Sequence, residues 1–375
     1  MSFSSASEKI AARYAEIFVS VFDGISSAPG RPVLPRGGWP QVGANGVPFR
    51  GSNALLTSLV AATGRKSRGY TVPVWLTRSK IQELGLLINR GERNTPIVHY
   101  DIYYEDVRTK KRDPAMDDGR YALLSDEERK NWVKRCYMTG YPEFNIHQTN
   151  FAEVYPEQWD ALLSEFGAPA RKADCPALDA VVGGGRWLCP ITESTDVTRM
   201  SYIEKTDEIR VPPKADYTDE SRWYGDLSYI LARSTGSEGR LDRDINCPDL
   251  SALAKEELVS ELAGATVATL AGAVSCIQDH NLVHLKAWVS AIKEDPRVIF
   301  KAVTEASKAA ELVSSTLGLE QRKGFSLDRL MEGVESAREA REKEQQRRSE
   351  RAGKARAGHR KGWSPVKSPR KGRTH

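Results

Sequence analysis

The segment Tyr224-Gly-Asp-Leu-Ser-Tyr-Ile-Leu-Ala-Arg-Ser-Thr-Gly236 follows the frame H-E-L-A-H-S-T-G of a zinc-hydrolase helix, with Tyr229, Ile230 and Arg233 at its three reactive positions. Such a helix needs two lone-pair donors one turn apart, a further ligand from a neighbouring helix, and a carboxylate to take a proton from metal-bound water. Tyr229 is a poor neutral ligand, Arg233 has no lone pair and repels a cation, and Ile230 cannot act as a base. Hydrolysis through that set is chemically excluded, and the helix taken alone reads as structural. The other pair at helical spacing, His280-Asn-Leu-Val-His284, lacks a glutamate, and Leu282, Val283, Leu285 and Trp288 around it mark a core-facing helix. No cofactor is implied.

A second kind of chemistry lies nearer the N-terminus. Gly30–Arg93 carries a net +8, Gly353–His375 another +8, and the rest of the +5 chain therefore carries −11. Two basic regions flank an acidic body, which suggests a polyanion held at particular places. In the first region Trp39, Phe49, Tyr70 and Trp75 alternate with Arg36, Arg50, Arg65, Lys66, Arg68 and Arg78, and Asn53 offers a polar contact. Cations neutralise phosphates and rings stack on exposed bases at roughly 1–3 kcal/mol each, so this composition suits single-stranded nucleic acid. Trp75 and Phe49 would equally suit a core. The candidate contacts are Trp39, Phe49, Arg50, Asn53, Trp75, Thr77, Lys80 and Arg93.

In the tail, Ser364-Pro-Val-Lys367 and Ser368-Pro-Arg-Lys371 are tandem S-P-x-K units. With Lys354, Arg360, Lys361, Lys367, Arg370 and Lys371 they suit nonspecific attraction to duplex DNA, which phosphorylation of Ser364 or Ser368 would weaken.

A chain of 375 residues with 40% hydrophobic composition can build a sizeable core. Its five cysteines are dispersed without a C-x-x-C pair, so a reducing compartment fits, and no apolar run of 18 residues suggests a membrane span. The expected location is cytoplasmic or nucleoid-associated.

The elements that must position these residues follow from periodicity. Residues 5–25 predict an amphipathic helix opened by the capping box Ser5-x-x-Glu8, residues 26–51 an irregular loop, and 51–64 a second helix. Residues 71–76 predict a strand, Thr77 the cap of a helix that Gly85 ends, and 95–104 another strand. Residues 105–134 read as a charged, exposed insertion with a helix, 156–173 as a linker, and 177–183 as a helix. A hairpin over 200–211 and helical patterns over 219–234, 250–277 and 281–317 follow. From residue 335 a charged helix gives way to a low-complexity segment expected to be disordered.

Several motifs occur in one order along the chain. Gly46-Val-Pro-Phe49-Arg50-Gly51-Ser-Asn53, Trp75-Leu76-Thr77-Arg-Ser-Lys80, Asn89-Arg-Gly91-Glu92-Arg93 and Phe144-Asn145-Ile-His147-Gln148 resemble the N-terminal domain of ArdC-type antirestriction proteins. Asp207-Glu-Ile-Arg-Val-Pro212, the frame Leu227–Gly236, Arg240-Leu241-Asp-Arg243, Glu256–Glu261 and Trp288–Ala310 resemble that family's zincin-like metallopeptidase domain. The resemblance implies an α+β protein. A small mixed α/β single-stranded-DNA-binding domain would span residues 1–155, a helix-rich zincin-like domain 174–320, and a charged helix with basic tail 335–375.

It further implies single-stranded DNA as partner, with duplex DNA at the tail and a protein partner at the zincin-like domain as further candidates. The family's catalytic signature is broken at Tyr229, Ile230 and Arg233, leaving Glu257 as the retained third-ligand position. An unpaired buried carboxylate is costly, so Arg233 is expected to pair with Glu257 or Glu261 in place of a metal, an attraction of about 4 kcal/mol at about 4 Å before desolvation. The expected protein is a pseudoenzyme that binds single-stranded DNA. The alternatives are a peptidase with a rearranged metal site using His280 or His284, and an interaction protein that binds duplex DNA through its tail.

Overall fold

The computed structural model describes residues 5–28, 33–34, 39–67, 69–166, 175–273, 276–319 and 325–334. The helix expected over 335–351 and every tail residue named above, Lys354, Arg360, Lys361, Lys367, Arg370 and Lys371 among them, lie outside the described residues, as do Arg36 and Arg68.

The chain opens with helix α1 (Ser5–Ser27), whose Tyr14, Phe18, Val21, Phe22 and Ile25 are buried as the spacing predicts. Strand β1 (Val42–Gly43), helix α2 (Gly51–Ser67), strand β2 (Val74–Thr77) and helix α3 (Arg78–Glu83) follow. Thr77 caps α3 by accepting from the Lys80 amide at 3.1 Å.

The charged region is the far end of a long hairpin. Strand β3 (Thr95–Asp106) runs through a turn and two short helices, α4 (Asp118–Ala122) and α5 (Asp126–Arg129), into strand β4 (Trp132–Asn145). The sheet order is β1-β2-β4-β3, parallel between β1 and β2 and antiparallel elsewhere. Asn53 completes the free edge of β3: its amide donates to the Val98 carbonyl at 2.7 Å and its oxygen accepts from the Val98 N–H at 2.8 Å. One side chain thus answers both backbone groups that an edge strand leaves open.

Several sequence expectations change: the helix expected over 250–277 ends at Leu270, residues 281–284 are a 3-10 turn on which Val283 is exposed, and two larger departures follow. Residues 156–166 are not linker but helix α7 (Pro156–Phe166), preceded by α6 (Phe151–Val154); its first residue is a proline, tolerated at a helix start because no intrahelical N–H is needed there. The pattern over 281–317 is two helices, divided at Asp295-Pro296 where a proline cannot continue the hydrogen-bond ladder.

The second half begins with α8 (Pro176–Asp179) and a three-stranded sheet of order β5-β7-β6, from β5 (Ile191–Glu193), β6 (Ser201–Ile203) and β7 (Glu208–Val211). Then come α9 (Glu220–Ser234), α10 (Leu250–Leu270), a 3-10 turn over Asp279–His284, α11 (Leu285–Glu294) and α12 (Val298–Leu317). Helix α10, capped by Asp249 through the Ala252 amide at 2.8 Å, is buried on nearly every side and packs against α9 and α12. No described helix is long and apolar enough to cross a membrane.

The described residues up to Phe325 belong to one compact unit, and those of 326–334 to a second. Among the described residues of the first unit, the main apolar core draws on both halves. Tyr14 of α1 lies 4.6 Å from the ring of Phe300 on α12, and Phe22 lies 5.5 Å from Trp288 on α11. Leu55, Leu56 and Leu59 of α2 join the same cluster.

Candidate functional site

The Tyr224–Gly236 frame is helix α9, and what brings it to α10 is Gly264. A Cβ on Gly264 would stand 2.5 Å from the Tyr229 Cα and 2.8 Å from its backbone N, so only glycine allows the helices to approach this closely. At the C-terminus of α9 the chain folds back over the last turn. Arg243 donates to the Ala232 carbonyl at 3.1 Å and Arg240 to the Ser234 carbonyl at 2.7 Å, so two cations answer carbonyls that the helix end leaves open. Each is held by a carboxylate in turn: Arg243 by Glu256 at 3.0 Å, Arg240 by Asp207 at 2.7 Å. The motif Arg240-Leu-Asp-Arg243 is therefore a clamp on the frame.

The frame's chemical positions face α10. Arg233 donates through Nη1 to the Glu257 carboxylate and through Nη2 to the Ile245 carbonyl at 2.8 Å. Both members are nearly enclosed, at 13% and 7% side-chain exposure. The Tyr229 hydroxyl donates to the other Glu257 oxygen at 2.5 Å, and the Asn281 amide reaches that oxygen at 3.1 Å. Burial, then the Glu257 charge, push the Tyr229 phenol well above its usual range, so it stays protonated and donates. Ile230 is buried in the core.

Of the two partners expected for Arg233, Glu257 is the one it takes. Glu261, one turn further along α10, is fully enclosed; its Oε1 accepts from the Gln278 N–H and the Asn281 amide at 2.8 Å each. Its Oε2 has no hydrogen-bond partner, and burial pushes its pKa up to about 8. Gln278 continues the chain of polar contacts to Asp226 at 2.8 Å, which also accepts from Tyr217 at 2.9 Å.

These side chains do not fit a zinc ion. The guanidinium already balances Glu257, the hydroxyl beside it is protonated, and the third position is a hydrocarbon. Among the described residues no group of three or more His, Cys, Asp or Glu side chains is placed to hold a metal ion. His280 lies 3.3 Å from the Tyr229 hydroxyl, with burial holding its pKa below the usual range, whereas His284 packs against the Trp288 ring at 6.2 Å. The two histidines thus have different partners.

The candidate nucleic-acid contacts fall into two groups. Trp75 is fully enclosed, packed with Ala61 and Tyr70, and its indole N–H donates to Gln41 at 2.8 Å. It has no open face for a base, which corrects the expectation of a stacking ring. Phe49 packs on the same cluster, and Asn53 is spent on β3. Trp39 is half-buried, edge-on to Phe166 at 5.0 Å. At the surface, Arg50 is exposed at the start of α2 and Thr77 is exposed as a cap. Lys80 pairs with Glu83 at 2.6 Å, and Arg93, 64% exposed, pairs with Glu16 of α1 at 3.0 Å.

Sequence reasoning missed Asn281, Gln278, Gln41 and Asp226, which complete these networks. Only Asp226 left a trace, as an acid one turn from Tyr229 on the helix frame.

Comparison with known proteins places both halves. Residues 28–144 match the family model of the N-terminal domain of anti-restriction factor ArdC, and residues 190–305 match that of a zincin-like metallopeptidase. The DNA primase TraC of Escherichia coli is 25% identical over 304 residues, covering 78% of this chain. An uncharacterized protein, y4eC, of Sinorhizobium fredii is 27% identical over 265 residues, covering 70% of this chain and 76% of its own length. This chain spans only 25% of that TraC.

Among solved structures, the metal-free antirestriction ArdC protein from plasmid R388 is similar with a TM-score of 0.58 and 26% identity, over 82% of this chain and 99% of that one. Its Mn(II)-bound form gives a TM-score of 0.54 at 24% identity, over 81% and 97%, a likeness of fold. With both domain matches in order on one chain, and a solved ArdC aligned along nearly its whole length, this is an ArdC-type protein.

Proposed function

We propose that this protein binds single-stranded DNA in an antirestriction role, and that its zincin-like part is a catalytically silent scaffold. A DNA-binding, antirestriction role is supported by the ArdC N-terminal match over residues 28–144, which contains the net +8 segment, and by the TraC relatives. With Tyr70, Trp75 and Phe49 packed together, the choice of single strand rests on half-buried Trp39 as the ring, with Arg50, Arg93, Lys80 and Thr77 as contacts at or near the surface. The tail would add nonspecific affinity for duplex DNA.

The observation that carries the silent scaffold is the Arg233–Glu257 pair. One solved relative is described as Mn(II)-bound; in this chain a fixed guanidinium charge satisfies the retained carboxylate instead, and no general base stands at Ile230. What remains is a rigid, charge-compensated body whose exposed surfaces are available to a protein partner.

The test is binding of a labelled single-stranded oligonucleotide at low salt to the whole chain and to the chain truncated after residue 334, alongside a peptidase assay with added zinc or manganese. Retained single-strand affinity in the truncated chain and no metal-stimulated cleavage support the reading. Loss of all binding on truncation would move the DNA contact to the tail, and cleavage lost in Glu257→Gln would restore an enzyme.

A further inference from the structure

The outer end of the β3–β4 hairpin belongs to none of the networks above. Twelve residue pairs, from Thr95↔Glu143 to Asp106↔Trp132, carry the hairpin outward, roughly 40 Å at about 3.4 Å per residue. The turn beyond Asp106 reads Val107-Arg108-Thr109-Lys110-Lys111-Arg112, with residues 108–112 all exposed. Its shape is fixed. The Asp106 carboxylate accepts from the Arg108 and Thr109 amides at 2.8 Å each, its carbonyl accepts from the Lys110 N–H at 2.9 Å, and its own N–H donates to the Lys111 carbonyl at 3.0 Å. Four cations in five residues therefore stand on a rigid turn in which the Asp106 carboxylate is turned inward on the backbone.

Beside this turn is a cavity of about 450 Å³, lined by Tyr103, Tyr104, Arg112, Asp113, Met116 and Asp117 among others. The volume lies in the lower half of the range for small-molecule sites. Tyr103 is half-buried, with the Arg112 guanidinium 5.2 Å from its ring centre. Tyr104 stacks on Tyr121 at 4.7 Å and donates to Asp118 at 2.6 Å, and Lys134 balances that carboxylate at 2.7 Å. Asp113 and Asp117 use one oxygen each on backbone amides, of Ala115 and Arg120, at 2.8 Å. The cavity thus offers an aromatic wall and carboxylate acceptors, beside a row of phosphate-binding charges.

We propose that the hairpin end is a subsite for single-stranded DNA: Arg108, Lys110 and Lys111 take backbone phosphates while the cavity takes one splayed base against Tyr103. Asp113 or Asp117 accepts from the exocyclic amine of that base, so cytosine or adenine is preferred to thymine, which has no amine to give. A paired base in duplex cannot enter. The inference rests on the DNA-binding reading and places a contact that the segment Gly30–Arg93 does not contain.

The experiment uses the full chain, labelled oligodeoxycytidine and oligothymidine, and a salt series. Arg108→Ala/Lys110→Ala/Lys111→Ala should flatten the slope of log affinity against log salt by about 2, at about 0.7 per phosphate contact on a single strand. Tyr103→Leu should weaken binding roughly 5- to 150-fold with the slope unchanged. Asp113→Asn/Asp117→Asn should reduce the preference for oligodeoxycytidine. As a check that needs no variant, an oligonucleotide carrying 5-iodocytosine should photocrosslink to the wild-type protein at Tyr103 or Tyr104. If the wild type binds but the variants match it in affinity and slope, or the crosslinks map only elsewhere, the subsite is wrong and the DNA-binding reading stands. If the wild type binds neither oligonucleotide at low salt, both fall.

Discussion

Replacing Arg233 by methionine keeps most of the side-chain volume and removes the charge that compensates Glu257. In the folded protein the Glu257 carboxylate would retain the Tyr229 hydroxyl at 2.5 Å and the Asn281 amide at 3.1 Å, but at 7% exposure it would have no cation. Breaking a buried pair from one side costs about 3–5 kcal/mol, and the two surviving hydrogen bonds place this case near the lower figure, about 3 kcal/mol. At an unfolding entropy of about 2.1 cal/mol/K per residue, a unit of this size should lose about 4 °C in melting temperature. Glu257→Gln strands the guanidinium instead and should cost a similar amount.

The decisive quantity is the double variant. With both charges gone the penalties do not add, and a double-mutant cycle read by thermal or urea unfolding should give a coupling of about 2 kcal/mol. Additive single-variant effects, or an Arg233→Met protein as stable as wild type at pH 7, would refute the claim that the guanidinium holds the site together.

Two other outcomes follow from the same geometry. Glu261, with a folded pKa of about 8 caused by burial, holds a proton that the unfolded chain releases near pH 4.3; stability should therefore fall as pH rises from about 4.5 to 8. Glu261→Gln should lessen that slope and be the more stable protein at pH 8, which unfolding at pH 5 and pH 8 will read. Trp75→Ala should cost about 3–5 kcal/mol in stability, as for an enclosed aromatic, whereas Arg50→Ala should leave stability within about 0.5 kcal/mol and weaken oligonucleotide binding with a shallower salt slope.

Helices α1 and α2 were legible because each buries one face, so apolar residues recur at three to four positions, and α9 because its sequence follows the H-E-L-A-H-S-T-G frame. Strand β4 was not: Lys134-Arg135, Gly140 and Pro142 interrupt its pattern, and its outer half runs along the exposed hairpin, where no core dictates alternation. Helix α7 hid behind Pro156, which looks like a break until it is seen at a helix start. At the candidate site the missing ligands could be read from chemistry alone, and the compensating role of Arg233 from the family resemblance, which placed a retained carboxylate opposite it, together with the rule that a buried carboxylate demands a partner.

The choice of Glu257 over Glu261 could not be read that way. It depends on Gln278 and Asn281 arriving from a 3-10 turn, far from α9 in sequence and with no periodic signature. Trp75 shows the converse limit. An aromatic among arginines has the composition of a stacking surface, and only the packing of Ala61, Tyr70 and Gln41 around it decides that it is core.

The most direct test of the charge-compensated scaffold is metal content and calorimetric titration with zinc and manganese on the purified full-length protein, wild type and Arg233→His. The wild type should carry background metal and give no binding heat for either ion, with Glu257 already satisfied by Arg233. Stoichiometric zinc or manganese in the wild type, lost in Glu257→Gln, would contradict the account.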